Sequence, residues 1–268
     1  MPPRLGATLR MIKGDAEMQT TAVQIPTADG AADAYLVKPD GDGPFPGVLM
    51  FMDAFGLRPR LAEMAERIAE RGYAVLVPNL LYRSARPPLV SPEELADAEK
   101  RGAAFGRLMP MMKLLTPARV GADTDAYLDF LAAQPGVAAG PVLAVGYCMG
   151  GRNALRAMEE RPDRIKALAS FHAGGIVTDE PDSAHLRVGS ITGEVYFAFA
   201  DHDRSMSAEQ IKIFEAALAD AGINYTSEVY EGAPHGFTMS DTAMYDAAAE
   251  QRHWVNLFAM LDRVLPVS

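Results

Sequence analysis

"PVLAVGYCMGGRNALRAM", residues 141 to 158, changes period at a single residue. Residues 141–147 are apolar on both faces, which is how a strand covered by helices on either side reads. From Met149 the spacing turns helical and stays so to about Arg161. Cys148, the only cysteine among 268 residues, stands at the change with Gly146, Gly150 and Gly151 around it.

The rest of the chain repeats this alternation. Strand candidates are 20–26, 33–38, 47–52, 74–78, 166–172, 194–200 and 225–232, in addition to 141–147. The first two carry the turn signal "TADGAA" between them and read as a hairpin. Helices are expected at 60–72, 91–106, 116–134, 149–161, 207–222 and 246–265. The second of these opens with a capping box, Ser91 and Glu94 around Pro92. Strands alternating with helices predict an α/β fold: one mostly parallel sheet of about eight strands with helices on both faces. Residues 1–18 show neither period and are expected to form a loose arm before a single domain, 19–268. Residues 84–121, with "RLMPMMKLL", read either as a small cap or as ordinary crossover helices.

Composition narrows the function. Hydrophobic residues make up 49% and charged residues 22%, an ordinary soluble balance. The net charge of −10 gives no long-range attraction for nucleic acid or anionic lipid, so neither is expected as a partner. One cysteine excludes an internal disulfide and a cysteine-rich zinc site, and a lone thiol fits a reducing compartment. No segment approaches the roughly 18 apolar residues that span a bilayer, and the N-terminus lacks a signal-peptide core. A cytoplasmic protein acting on a small molecule, as a monomer or homodimer, without metal or cofactor, is the expectation.

A strand that turns at once into a helix holds the junction residue in a strained conformation and thrusts its side chain out at the sheet's carboxyl edge. Neighbouring side chains would collide there, so small residues are required two before and two after, at Gly146 and Gly150. G-x-C-x-G-G is the cysteine version of the G-x-S-x-G turn. A thiol at a helix N-terminus is biased toward thiolate, and the Met149 N–H behind it is placed to donate to an oxyanion. A nucleophile in this setting needs a histidine and an acid later in the chain. Of the histidines at 172, 185, 202, 235 and 253, only His235 lies in a Pro/Gly-rich loop past the last strand. The acid comes from "ADHD": Asp203, past the strand end, is preferred over Asp201. An exposed low-pKa thiol could instead serve a non-catalytic, redox-sensing protein, the rival reading.

"GYCMGG", "FMDAFGL", "ERGYAVLVPNLLYR", "ADHDRSM" and "PHGF" occur in this order over residues 20–264, and together they resemble the dienelactone hydrolase family of α/β-hydrolases. That resemblance implies a cofactor-free hydrolase of esters or lactones acting through a thiol ester, with Cys148, Asp203 and His235 as its triad. It also implies that the Ala54 N–H completes the oxyanion hole with that of Met149. Asp53 replaces the family's glutamate and is offered, by position alone, as the group that activates Cys148. Arg83 falls near the first of two substrate-binding arginines, whereas Met239 occupies the second position. Tyr82, Phe55, Phe237 and Met239 then suggest a rather apolar pocket.

Overall fold

The structure, a computed structural model, describes residues 8–13 and 16–267. Three strands open the chain: β1 (Thr8–Lys13), β2 (Ala16–Thr27) and β3 (Gly30–Pro39). β4 (Gly47–Phe51), α1 (Pro59–Ala69) and β5 (Ala74–Pro78) follow, then three helices in succession: α2 (Pro92–Ala96), α3 (Ala98–Met112) and α4 (Pro117–Ala132). β6 (Val142–Tyr147), α5 (Met149–Glu160), β7 (Ile165–Phe171), β8 (Glu194–Ala200), α6 (Ala208–Asp220), β9 (Tyr225–Tyr230) and α7 (Ala247–Val264) complete it.

The strands form one sheet in the order β1-β2-β3-β5-β4-β6-β7-β8-β9. β1, β2 and β3 are antiparallel to their neighbours, and the six strands from β5 to β9 run parallel. Every residue of β4, β5 and β6 is buried, as strands covered on both faces must be. α1 and α7 pack together, with the Arg67 guanidinium 4.4 Å from the Trp254 ring. α4 and α5 form a second layer, tied by Arg161 to Asp125.

All eight expected strands are present, and the ninth is β1. The reading of 1–18 as an arm without an element fails at Thr8–Lys13, which pairs along its length with Ala16–Thr21. The physical reason is cross-strand pairing: the ladder supplies hydrogen bonds that a six-residue stretch does not announce by its own period. The expected helix 91–106 is two helices. Asp97 takes an extended conformation (φ −92°, ψ 130°), ends α2, and caps α3 by accepting the Lys100 N–H. The Ser91–Glu94 capping box forms as the sequence suggests.

β4 lies between β5 and β6, so the chain steps to one side of β4 and later to the other. That reversal opens a crevice at the carboxyl ends of β4 and β6, where ligands of open α/β sheets bind. Cys148 follows β6 there, and Asp53 and Ala54 follow β4.

Candidate active site

Cys148 adopts φ 54° and ψ −120°, a strained conformation for a residue with a side chain, and is the residue that starts α5. Its N–H donates to the Phe171 carbonyl of β7 at 3.1 Å, fixing the turn against the neighbouring strand. The flanking glycines are required by close approach. A Cβ on Gly146 would stand 2.4 Å from the Gly150 carbonyl oxygen, and one on Gly150 would stand 2.3 Å from those of both Phe51 and Met52. The sulfur is only partly buried.

His235 arrives from the loop after β9. Its Nε2 lies 3.0 Å from Cys148 Sγ, and its Nδ1 lies 2.5 Å from Asp203 Oδ2. Asp203 is fixed by two further donors on Oδ1, the Ser205 N–H at 2.8 Å and Oγ at 2.7 Å. Burial alone would raise the Asp203 pKa. The hydrogen bond and charge of His235, with the Ser205 donors, outweigh burial and hold it below the usual carboxylate value. Burial likewise opposes a charged His235. The charge of Cys148 and the Asp203 hydrogen bond prevail and push its pKa well above the ordinary imidazole value. Asp201 does not reach His235. It accepts the Gly232 N–H at 2.9 Å and its own N–H donates to the Ala233 carbonyl, fastening the loop after β8 to the loop that carries His235.

His172, at the end of β7, is fully buried beside the site. Its Nε2 lies 2.7 Å from Thr238 Oγ1, and its ring meets His235 edge to face at 5.4 Å between centroids. Burial first, then the charge of His235, holds it well below the ordinary value, so it is neutral. His253 is buried against Tyr147, whose hydroxyl lies 3.0 Å from its Nε2, while His202 is exposed.

Cys148 and His235 open into a cavity of about 630 Å³. α3 contributes Phe105, Met109 and Met112, so part of the 84–121 segment does cover the site. Met149 also faces the cavity, and its N–H is the first of α5, where no intrahelical acceptor exists.

Five expected site residues lie elsewhere. Asp53 forms a buried two-pronged pair with Arg58 (2.6 and 2.8 Å), and among the described residues no hydrogen bond joins it to Cys148. Its short side chain, set beside a cation five residues on, is used by the scaffold. Arg83 is taken up by Asp123 and Asp29, and Tyr82 donates to Asp123 Oδ1, so this pair braces the loop after β5. Met239 is buried with its sulfur 3.3 Å from Arg58 Nη2. Phe237 stacks on Tyr230 and meets the His172 ring, behind the histidines and out of the cavity. Phe55 is half-buried and touches the site through Phe105, at 6.4 Å edge to face. Sequence reading missed Arg152 and Arg156, which line the cavity from α5. Their spacing of four and eight from Cys148 was the available signal, because such positions share a helix face.

A model of the dienelactone hydrolase family matches residues 32–265. The chain belongs to the dienelactone hydrolase family. A Synechocystis protein bearing the provisional name carboxymethylenebutenolidase is 27% identical over 241 residues, covering 89% of this chain and 94% of that one. A solved Klebsiella pneumoniae structure, provisionally named a dienelactone hydrolase, superposes with a TM-score of 0.78 at 24% identity, over 90% of this chain and 97% of the other. A dienelactone hydrolase-like promiscuous phosphotriesterase from metagenomic libraries is 25% identical, with a TM-score of 0.71 over 91% and 98%. As a dienelactone hydrolase family member the protein is a hydrolase. Among its described residues no helix is long and apolar enough to cross a membrane.

Proposed function

We propose that the protein hydrolyses carboxylic esters or lactones through a thioester on Cys148. The observation that carries this reading is the continuous contact from Asp203 through His235 to the sulfur, made by three side chains from three separate loops. Family membership supports the substrate class, since a dienelactone is a cyclic ester.

The His235 Nε2, 3.0 Å from the sulfur, is placed to take up the thiol proton, and the thiolate is the nucleophilic form. The thiolate attacks the substrate carbonyl and the carbonyl π electrons move to oxygen. The Met149 and Ala54 N–H groups hold the resulting oxyanion. Gly150 supports this pairing, because it is pressed against the backbone oxygens of Phe51 and Met52 and so keeps the two loops together. Collapse expels the alkoxide, which takes the proton from His235 Nε2. Neutral His235 then removes a proton from water, hydroxide adds to the thioester, and the carboxylic acid departs as the thiolate is restored. Asp203 holds the ring with Nδ1 protonated, leaving Nε2 to exchange protons with sulfur and solvent.

The test is turnover of p-nitrophenyl acetate by the wild type, Cys148→Ala and His235→Ala. The reading expects Cys148→Ala at the solution background and His235→Ala reduced by at least about 100-fold. Equal rates in all three would remove the ester-hydrolase reading.

A further inference from the structure

Arg152 is the feature of the cavity that the hydrolytic triad leaves unused. It lies four residues beyond Cys148 on α5, one helical turn of roughly 5.4 Å along the same face. The two side chains line the same cavity, and the charge of Cys148 acts on the guanidinium. Its Nη1 lies 2.9 Å from where a Cβ of Gly175 would stand, so the head group packs against the loop after β7.

Among the described residues, Arg152 is the one arginine that is not exposed and has neither a hydrogen bond nor an ion pair. Its Nε is buried without a partner. The other arginine of the cavity is engaged: Arg156 donates to the Leu115 carbonyl at 2.7 Å and faces Asp182 at 3.4 Å. Burial first, and the charge of Arg156 second, disfavour a cation at Arg152 and outweigh the favourable charges of Cys148 and Asp182. A guanidinium nevertheless keeps its proton in proteins. A desolvated cation with free donors, facing a ligand-sized cavity, is short of an anion. The acidic residues of the lining, Glu180 and Asp182, make no contact with it within hydrogen-bonding distance.

We propose that Arg152 is the specificity-determining residue of this cavity: it receives a carboxylate borne by the acyl part of the ester, about one helical turn from the carbonyl that Cys148 attacks. The acyl part is favoured over the leaving group because it stays bonded to sulfur through both steps, and so remains within reach of the next turn of α5. The apolar lining from α3, Phe105, Met109 and Met112, accommodates the hydrocarbon between the two groups. This inference rests on the esterase reading above and adds the chemistry of the acid.

The test compares two rigid esters. One is the mono-p-nitrophenyl ester of trans-cyclopropane-1,2-dicarboxylic acid, whose carboxylate cannot reach its own ester. The other is p-nitrophenyl trans-2-methylcyclopropanecarboxylate, in which a methyl group replaces the carboxylate. For Arg152→Met, kcat/KM on the anionic ester should fall about 10- to 100-fold, the loss of one or two charge-assisted hydrogen bonds. Its rate on the neutral ester should stay within about twofold. Arg152→Lys should keep part of the preference, which guards against a folding defect in the first variant. Equal losses on both esters, or an unchanged ratio, would overturn the proposal. So would a shift in the pH profile of Cys148 alkylation that accounts for the whole effect, since Arg152 would then act on the thiolate. If wild type hydrolyses neither ester in a Cys148-dependent way, the esterase reading fails by itself. The anion site is then judged by calorimetry with free trans-cyclopropane-1,2-dicarboxylate. Binding that Arg152→Met abolishes supports the site, and no binding to wild type overturns it.

Discussion

Asp53→Asn separates a structural from a catalytic account of the loop after β4. The side chains of Asp53 and Arg58 are only 4% and 7% exposed and are joined by two parallel hydrogen bonds. Losing the carboxylate leaves a buried guanidinium short of its counter-charge, a defect that typically costs about 3–5 kcal/mol. Arg58 keeps Asp241 at 2.5 Å and the Gly56 carbonyl at 3.1 Å, which places the cost at the lower end, about 3 kcal/mol. Unfolding entropy of about 2.1 cal/mol/K per residue gives roughly 0.56 kcal/mol/K for this chain, so the melting temperature should fall by about 5 °C. Cys148 is not a partner of Asp53, so the pH profile of its alkylation by iodoacetamide should not move. Calorimetry and alkylation kinetics on the same preparation decide the matter. Replacing both members, Asp53→Leu with Arg58→Met, should recover most of the lost stability, because an apolar pair of similar volume carries no buried charge. An unchanged melting temperature together with a displaced alkylation profile would refute this reasoning and return Asp53 to the chemistry.

Asp203→Asn removes the acceptor that selects the His235 tautomer and offers Nδ1 a donor on one side instead, so kcat should fall by about 100- to 10,000-fold in p-nitrophenyl ester turnover. A loss below fivefold would mean that the carboxylate only braces the loop. Glu159 is buried on α5, and burial pushes its pKa from an ordinary 4.5 to about 8. The folded protein therefore keeps this proton where the unfolded chain has lost it, so its stability declines as pH rises from about 4.5 toward 8, by at most about 5 kcal/mol. Glu159→Gln, which has no proton to lose, should melt close to wild type at pH 4.5 and several degrees higher at pH 8. An advantage that is independent of pH would contradict that sign.

The parts of the site legible in the sequence are those with a local steric or positional signature. Cys148 is framed by glycines because backbone carbonyls pass within 2.4 Å of where side chains would stand, and that demand is written two residues before and two residues after it, at Gly146 and Gly150. His235 and Asp203 follow strand ends, and strand ends of a parallel sheet share one edge. The charged residues that line or leave the cavity were not legible in the same way. Arg152 reads as a solvent-facing helix residue until α3 and the loop after β7 are placed over it, and both come from distant parts of the chain. Arg83 and Asp53 look like free charges until their partners Asp123 and Arg58 are seen. β1 is specified by the strand it pairs with, Ala16–Thr27, more than by its own period.

The central claim is covalent: the acyl group passes through the sulfur of Cys148. Wild type mixed with excess p-nitrophenyl ester and quenched in acid within milliseconds should gain the mass of one acyl group. That mass should map to the peptide containing Cys148 and be released by hydroxylamine. Steady turnover with no such adduct, or the same turnover in Cys148→Ala, would contradict it.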